Sequence, residues 1–112
     1  MTPEPARVRP GRSATIFAAL GDPTRLRLVD RLGQGGPQSI TRLTDGTGLT
    51  RQAITKHLRV LAGAGLVRGS RLGRECRWAL RPRQLDVAHR YLDQVSRRWD
   101  TALARLRELV EE

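Results

Sequence analysis

"LTRQAITKHLRVLAGAGLVRGSRLGRECRWAL", residues 49–80, decides how this chain folds. Its first part has the period of a helix over about 51–63. At about 100° per residue, Ile54, Leu58 and Leu61 fall on one side, with Ala53 flanking them. Arg51, Gln52, Thr55, Lys56 and Arg59 fall on the other. Thr50 stands where an N-cap belongs, and Gly63 and Gly65 end the helix. The second part alternates instead. Leu66 and Val67 open one strand; Cys76, Trp78 and Leu80 point inward on the next, and Arg77 points outward. Gly73 marks the turn between them. Arg68, Arg71, Arg74 and Arg77 stud the strands and the tip.

Upstream, Ser13 is a candidate cap for "ATIFAAL", whose Ile16, Phe17 and Leu20 share a helical face. "DPTRLRLVDRLGQGG" follows, with Asp22 at the N-cap, Pro23 at the first helical position, and an apolar face of Leu26, Val29 and Leu32 with Leu28 beside it. "SITRLTDGTG" reads as a short helix capped by Ser39, with Ile40 and Leu43 inward. A short helix, a glycine turn and a polar-faced second helix make a helix-turn-helix. A basic hairpin behind it makes the unit winged. The second helix suits a major groove, where Gln pairs with adenine and Arg or Lys with guanine. The wing can bring Arg to the narrow, electronegative minor groove. Helix and wing are expected to form one continuous DNA-facing surface.

After Pro82 the chain has no glycine and no further proline. Leu85, Ala88, Leu92, Val95, Trp99, Ala102, Leu106 and Leu109 recur at spacings of 3 and 4, an apolar seam sustained over more than three heptads. The seam is about 37 Å long, more than the short N-terminal helices can cover. A second copy of the same helix is the simplest partner, with Ile16, Phe17 and Leu20 completing the interface. The expected fold is therefore mostly α with a small β-hairpin wing: a winged helix-turn-helix with a long C-terminal dimerisation helix. Residues 1–12, rich in proline and arginine, read as a disordered basic arm. Residues 13–81 read as the DNA-binding domain and 82–112 as the dimerisation helix.

Charge points the same way. The 112 residues carry a formal net charge of +10, and all cations but Lys56 are arginine. An arginine-rich proteome would spread that excess evenly. Here residues 51–81 hold eight cations against Glu75, a net of +7, whereas 82–112 balance to zero. Concentrated charge of this kind calls for a polyanion. One cysteine excludes an internal disulfide framework. No apolar run has the length of a membrane span, and residues 1–12 lack the apolar core of a signal peptide. A soluble cytoplasmic protein is expected. With two distant histidines, no catalytic constellation stands out.

"ALGDPTRLRLVDRL", "GLTRQAITKHLRVLAGAGLV" and the glycine-turned basic hairpin resemble the ArsR/SmtB family of winged-helix repressors, over about residues 14–81. The ending "YLDQVSRRWDTALARLRELVEE" resembles a branch without the usual metal motifs. The resemblance implies a homodimer joined by its terminal helices, on a double-stranded DNA operator with imperfect two-fold symmetry. It also implies repression until a signal, such as a small-molecule or redox inducer, releases it. Metal-sensing members carry Cys-X-Cys before the turn, where "SITRLTDGTG" has no cysteine. Others place Asp, His, His and Glu on the last helix, where only Asp86 and His89 stand. Zinc wants four ligands, so no metal site and no cofactor are expected. The His57 of "TKHL" matches a family histidine; a packed, hydrogen-bonded role ranks above a phosphate contact. Cys76 is expected to be buried and inert. A protein–protein or RNA-binding winged helix is the competing function; the polar helix face and the wing arginines favour duplex DNA.

Overall fold

Capping residues punctuate the chain. The computed structural model describes residues 10–111. Helix α1 spans Pro10–Leu20 and α2 spans Pro23–Gly35. A two-residue strand β1, Gln38–Ser39, leads into the short helix α3, Ile40–Thr44. Helix α4 is Arg51–Gly63, strands β2 and β3 are Val67–Leu72 and Glu75–Leu80, and α5 runs Pro82–Glu111. The expected disordered arm falls on residues 1–9, outside the described residues, and on 10–12, which are helical. Ser13 is therefore not a cap. It is a buried residue of α1, 1% exposed, because α1 begins a turn earlier and Ser13 lies on its core side.

Asp22 caps α2 by accepting from the Thr24 N–H at 2.9 Å and the Arg25 N–H at 3.1 Å. Pro23, next in line, lacks the N–H that a first-turn residue leaves unpaired anyway. At the other end Gly36, at φ 71°, turns its N–H back to the Leu32 carbonyl, a positive-φ C-terminus that glycine takes without a Cβ clash. Thr50 Oγ1 caps α4 from Ala53 N–H at 3.1 Å. Helix α3 stops at Thr44, well short of Gly48. The Arg31 guanidinium explains part of that: its Nη1 donates to the Leu43 and Asp45 carbonyls at 2.9 and 2.8 Å. A side chain from α2 thus takes up carbonyls that a longer α3 would have bonded itself.

The core is one cluster. Ile16 from α1, Leu28 and Leu32 from α2, Leu43 from α3, and Ile54, Leu58 and Leu61 from α4 are buried with Leu66 and Val67. Each such leucine contributes about 1.5–3 kcal/mol of burial. The buried face of α2 differs from the expected one. Leu28, not Leu26, is inside, and Leu26 is 52% exposed. A spacing of 3 drifts off a 3.6-residue turn, so Leu28 and Leu32, four apart, share the face that meets α4.

The wing is a three-stranded antiparallel sheet of order β1-β3-β2 rather than a bare hairpin. Ser39 pairs with Arg77 and Gln38 with Trp78. Gly73 sits at φ 66° in the two-residue turn, and among the described residues no non-glycine residue has positive φ, the II′ pattern that matches strand twist. Gly69 pairs with Trp78, and a Cβ there would come within 3.2 Å of the indole. The missing side chain is what lets the ring lie across the strand. Cys76 is exposed, contrary to expectation. Alternation gives it the same face as Trp78 and Leu80, but it lies near the tip, beyond the end of the core.

Helix α5 outruns everything else. At 30 residues it is about 45 Å long. The molecule measures 67 × 35 × 20 Å, with a radius of gyration of 18.6 Å, against about 13 Å for a compact chain of this size. The first half of α5 packs on α1, where the Phe17 and Tyr91 rings meet at 5.9 Å and 57°. From Ser96 to Glu111 every residue is exposed.

Candidate nucleic-acid interface

Helix α4 presents its polar side as the periodicity requires. Arg51, Gln52, Lys56 and Arg59 are all exposed, opposite buried Ile54, Leu58 and Leu61. Thr50 is exposed, but its Oγ1 is engaged as the cap. Thr55 is half-buried and donates its hydroxyl to the Arg51 carbonyl at 2.7 Å. The groups left free to meet a base edge are therefore Gln52, one turn from Lys56, and the flanking arginines.

The hairpin register divides the wing arginines. Residues paired across β2 and β3 point to one face. Arg68, Ser70, Glu75, Arg77 and Ala79 share one side; Val67, Gly69, Arg71, Cys76 and Trp78 share the other. Arg74 lies in the turn. Arg68, Arg71, Arg74 and Arg77 are all exposed, yet they do not form a single row. The wing offers cations on both faces and at its tip, as a thin element inserted into a groove would. Arg77 is held within its own strand, its Nε 3.6 Å from Glu75 Oε2.

A further exposed cation stands beside those that the sequence marks. Arg42, exposed on α3, borders an open cleft of about 730 Å³ shared with Ser39, Arg51 and Glu75. It also borders a smaller cleft of about 280 Å³ beside Arg77. The usable signal was positional. In a helix-turn-helix the first helix crosses the nucleic-acid backbone, and Arg42 lies at its third position.

The expected dimer residues fall into two groups. Ile16 is 1% exposed, in the core of its own chain, and Ala88 is buried there too. Phe17, Leu20 and Leu85 pack against that core, and Val95 is half-buried. Leu92, Trp99, Leu106 and Leu109 are 54, 64, 56 and 73% exposed, and Ala102 is exposed as well. Leu103 and Val110, not singled out in the sequence, extend this apolar surface. Periodicity marks an apolar face but not what covers it: within one protomer Ile16 and Ala88 already fill the core, and the exposed residues of the seam are the ones left to be covered.

Asp86 and His89 are exposed on α5. Among the described residues no three His, Cys, Asp or Glu side chains gather into a candidate metal site.

Residues 20–70 match the helix-turn-helix domain family. The chain is 41% identical over 70 residues to an uncharacterized HTH-type transcriptional regulator, YuzN, of Bacillus subtilis, covering 57% of this chain and 76% of that protein. It is 37% identical to the HTH-type transcriptional regulator CmtR of Mycobacterium tuberculosis, covering 84% of this chain and 79% of that one. Among solved structures, an ArsR-like transcriptional regulator from Rhodococcus sp. RHA1 superposes with a TM-score of 0.76 at 35% identity, covering 88% and 92%. With its helix-turn-helix, its basic three-stranded wing and these relatives, the chain belongs to the ArsR/SmtB family of DNA-binding transcriptional regulators.

Proposed function

We propose that the protein works as a homodimer that binds an operator of imperfect two-fold symmetry and represses transcription from it. One observation carries this: α5 extends beyond its own core with Leu92, Trp99, Leu106 and Leu109 more than half exposed along one seam. An apolar face of that length is costly in water. A second α5 related by a two-fold axis would bury it with identical chemistry on both sides.

The same axis would place two copies of α4 on successive major grooves, about 34 Å apart. Gln52 and Lys56 would meet base edges there, with Arg51 and Arg59 toward the flanking backbone. Arg68, Arg71 and Arg74 would reach phosphates or the minor groove beside each half-site, and Arg77 would follow once Glu75 released it. Among the described residues no helix is long and apolar enough to cross a membrane, and such a regulator would meet its DNA in the cytoplasm.

Selection of bound duplexes from a random library, paired with sedimentation of the free protein, tests the proposal. A recovered motif with two half-sites about one helical turn apart, and a dimer at micromolar concentration, is the expected result. A monomer that selects a single asymmetric half-site would refute it.

A further inference from the structure

His57 sits on α4 between its buried and its polar sides, partly exposed. Its Nδ1 lies 3.2 Å from Arg25 Nη1. Guanidinium has only donors, so His57 Nδ1 is the acceptor and the ring proton belongs on Nε2. The same Arg25 donates from Nε to the Ala19 carbonyl at 2.6 Å. Ala19 lies in the last turn of α1, where carbonyls lack helical partners. Asp22 Oδ2, occupied with capping α2, stands 3.8 Å from His57 Nδ1. One guanidinium therefore bonds the end of α1 and the middle of α4, anchored on the first turn of α2.

The core contacts of α4 are apolar. Ile54, Leu58 and Leu61 hold it to the core, but apolar burial is non-directional. It fixes the rotation of a helix coarsely, by choosing the side that faces inward, and leaves the fine rotation and axial position less tightly set. A hydrogen bond is directional, weakening steeply off line. Base readout needs side chains placed to within about 0.5 Å, whereas phosphate contacts carry no sequence information.

We propose that His57, held by Arg25, is a positioning residue of α4: it sets the rotation of that helix against the α1–α2 corner, and so the aim of Gln52 and Lys56. Its role is discrimination between DNA sequences, not general affinity for DNA. The inference rests on the assignment of α4 to base readout made above. Because α1 also packs on α5, the Arg25 bridge joins the recognition helix to the layer from which the long helix springs.

The test uses the full chain and two duplexes: the motif recovered by library selection and a scrambled duplex of equal composition. Affinities are measured for wild type, His57→Ala and His57→Asn, with melting curves for each. Asparagine carries Oδ1 on Cγ, where histidine carries Nδ1, and can accept from Arg25. His57→Ala should lose about tenfold on the motif, the worth of one such hydrogen bond, and almost nothing on the scramble. His57→Asn should recover most of the loss. If both duplexes weaken equally, or neither does, in a variant that melts as a folded protein, the positioning role is wrong. So it is if His57→Asn behaves as His57→Ala while melting like wild type. A wild type without preference between the duplexes overturns the base-reading role of α4, and this assignment with it.

Discussion

Asp22 is a cap whose charge matters. The Arg25 backbone N–H above all, with the Arg25 guanidinium and the Thr24 N–H, holds its carboxyl below the ordinary value of 3.8, against the opposing effect of desolvation. A carboxyl with a depressed folded value stabilises the fold above its unfolded pKa. That contribution is lost as pH falls through the folded value. The melting temperature of wild type should thus drop on acidification below about pH 4, as the proton removes the charge that Thr24 and Arg25 bond to. Asp22→Asn keeps an acceptor oxygen but no charge. It should melt lower at neutral pH and lose that part of the acid dependence; parallel wild-type and variant curves from pH 6 to pH 2.5 would show that the cap charge contributes nothing. Asp22 was legible in the sequence because capping is local. Cys76 was not, since its depth depends on where the core ends, and neither was Arg25, whose partners lie 6 and 32 residues away.

A single cation can also be tested for the kind of contact it makes. Arg42 would touch backbone and not bases, so Arg42→Ala should weaken binding to every duplex alike and reduce the slope of log affinity against log salt by about 1. A loss confined to one sequence would place Arg42 on a base.

At the scale of elements, the proposed complex would divide the work of recognition between α4 and the wing. Gln52→Ala should cost about 1–3 kcal/mol on the best duplex and relax preference at one base pair. Arg74→Ala, at the hairpin tip, should weaken all duplexes. Competition binding against a panel of single-base variants separates the two; identical profiles for both variants would mean that α4 does not read sequence. The bounds of α4 were legible because Thr50, Gly63 and a clean 3.6-residue period agree. Strand β1 was invisible: two residues with no alternation acquire strand geometry only by pairing with Arg77 and Trp78. The division of the wing arginines followed from register, which composition does not carry. The face of α2 slipped because a run of Leu26, Leu28, Val29 and Leu32 supports two stripes, and only the position of α4 selects between them.

For the whole molecule, the decisive quantity is what covers the distal half of α5. Trp99 is its largest side chain and is 64% exposed. Burying the exposed part against a partner would contribute about 1–2 kcal/mol per copy. Two-fold symmetry makes each substitution act twice, so Trp99→Ala should raise the dimer dissociation constant about a hundredfold. Helix α4 and the wing stand apart from this segment, so the half-site contacts should survive. The variant should then keep its affinity for a duplex carrying one half-site and lose it for the full site, in proportion to the lost dimer. Trp99→Arg should be more damaging, since it sets two cations near the axis beside Arg98 and its counterpart. Sedimentation across a concentration series, run alongside titrations of half-site and full-site duplexes, measures both effects. A Trp99→Ala protein as dimeric as wild type would remove α5 from the interface. One that loses half-site and full-site binding equally would mean that the distal helix supports the fold of the DNA-binding unit instead of joining two of them.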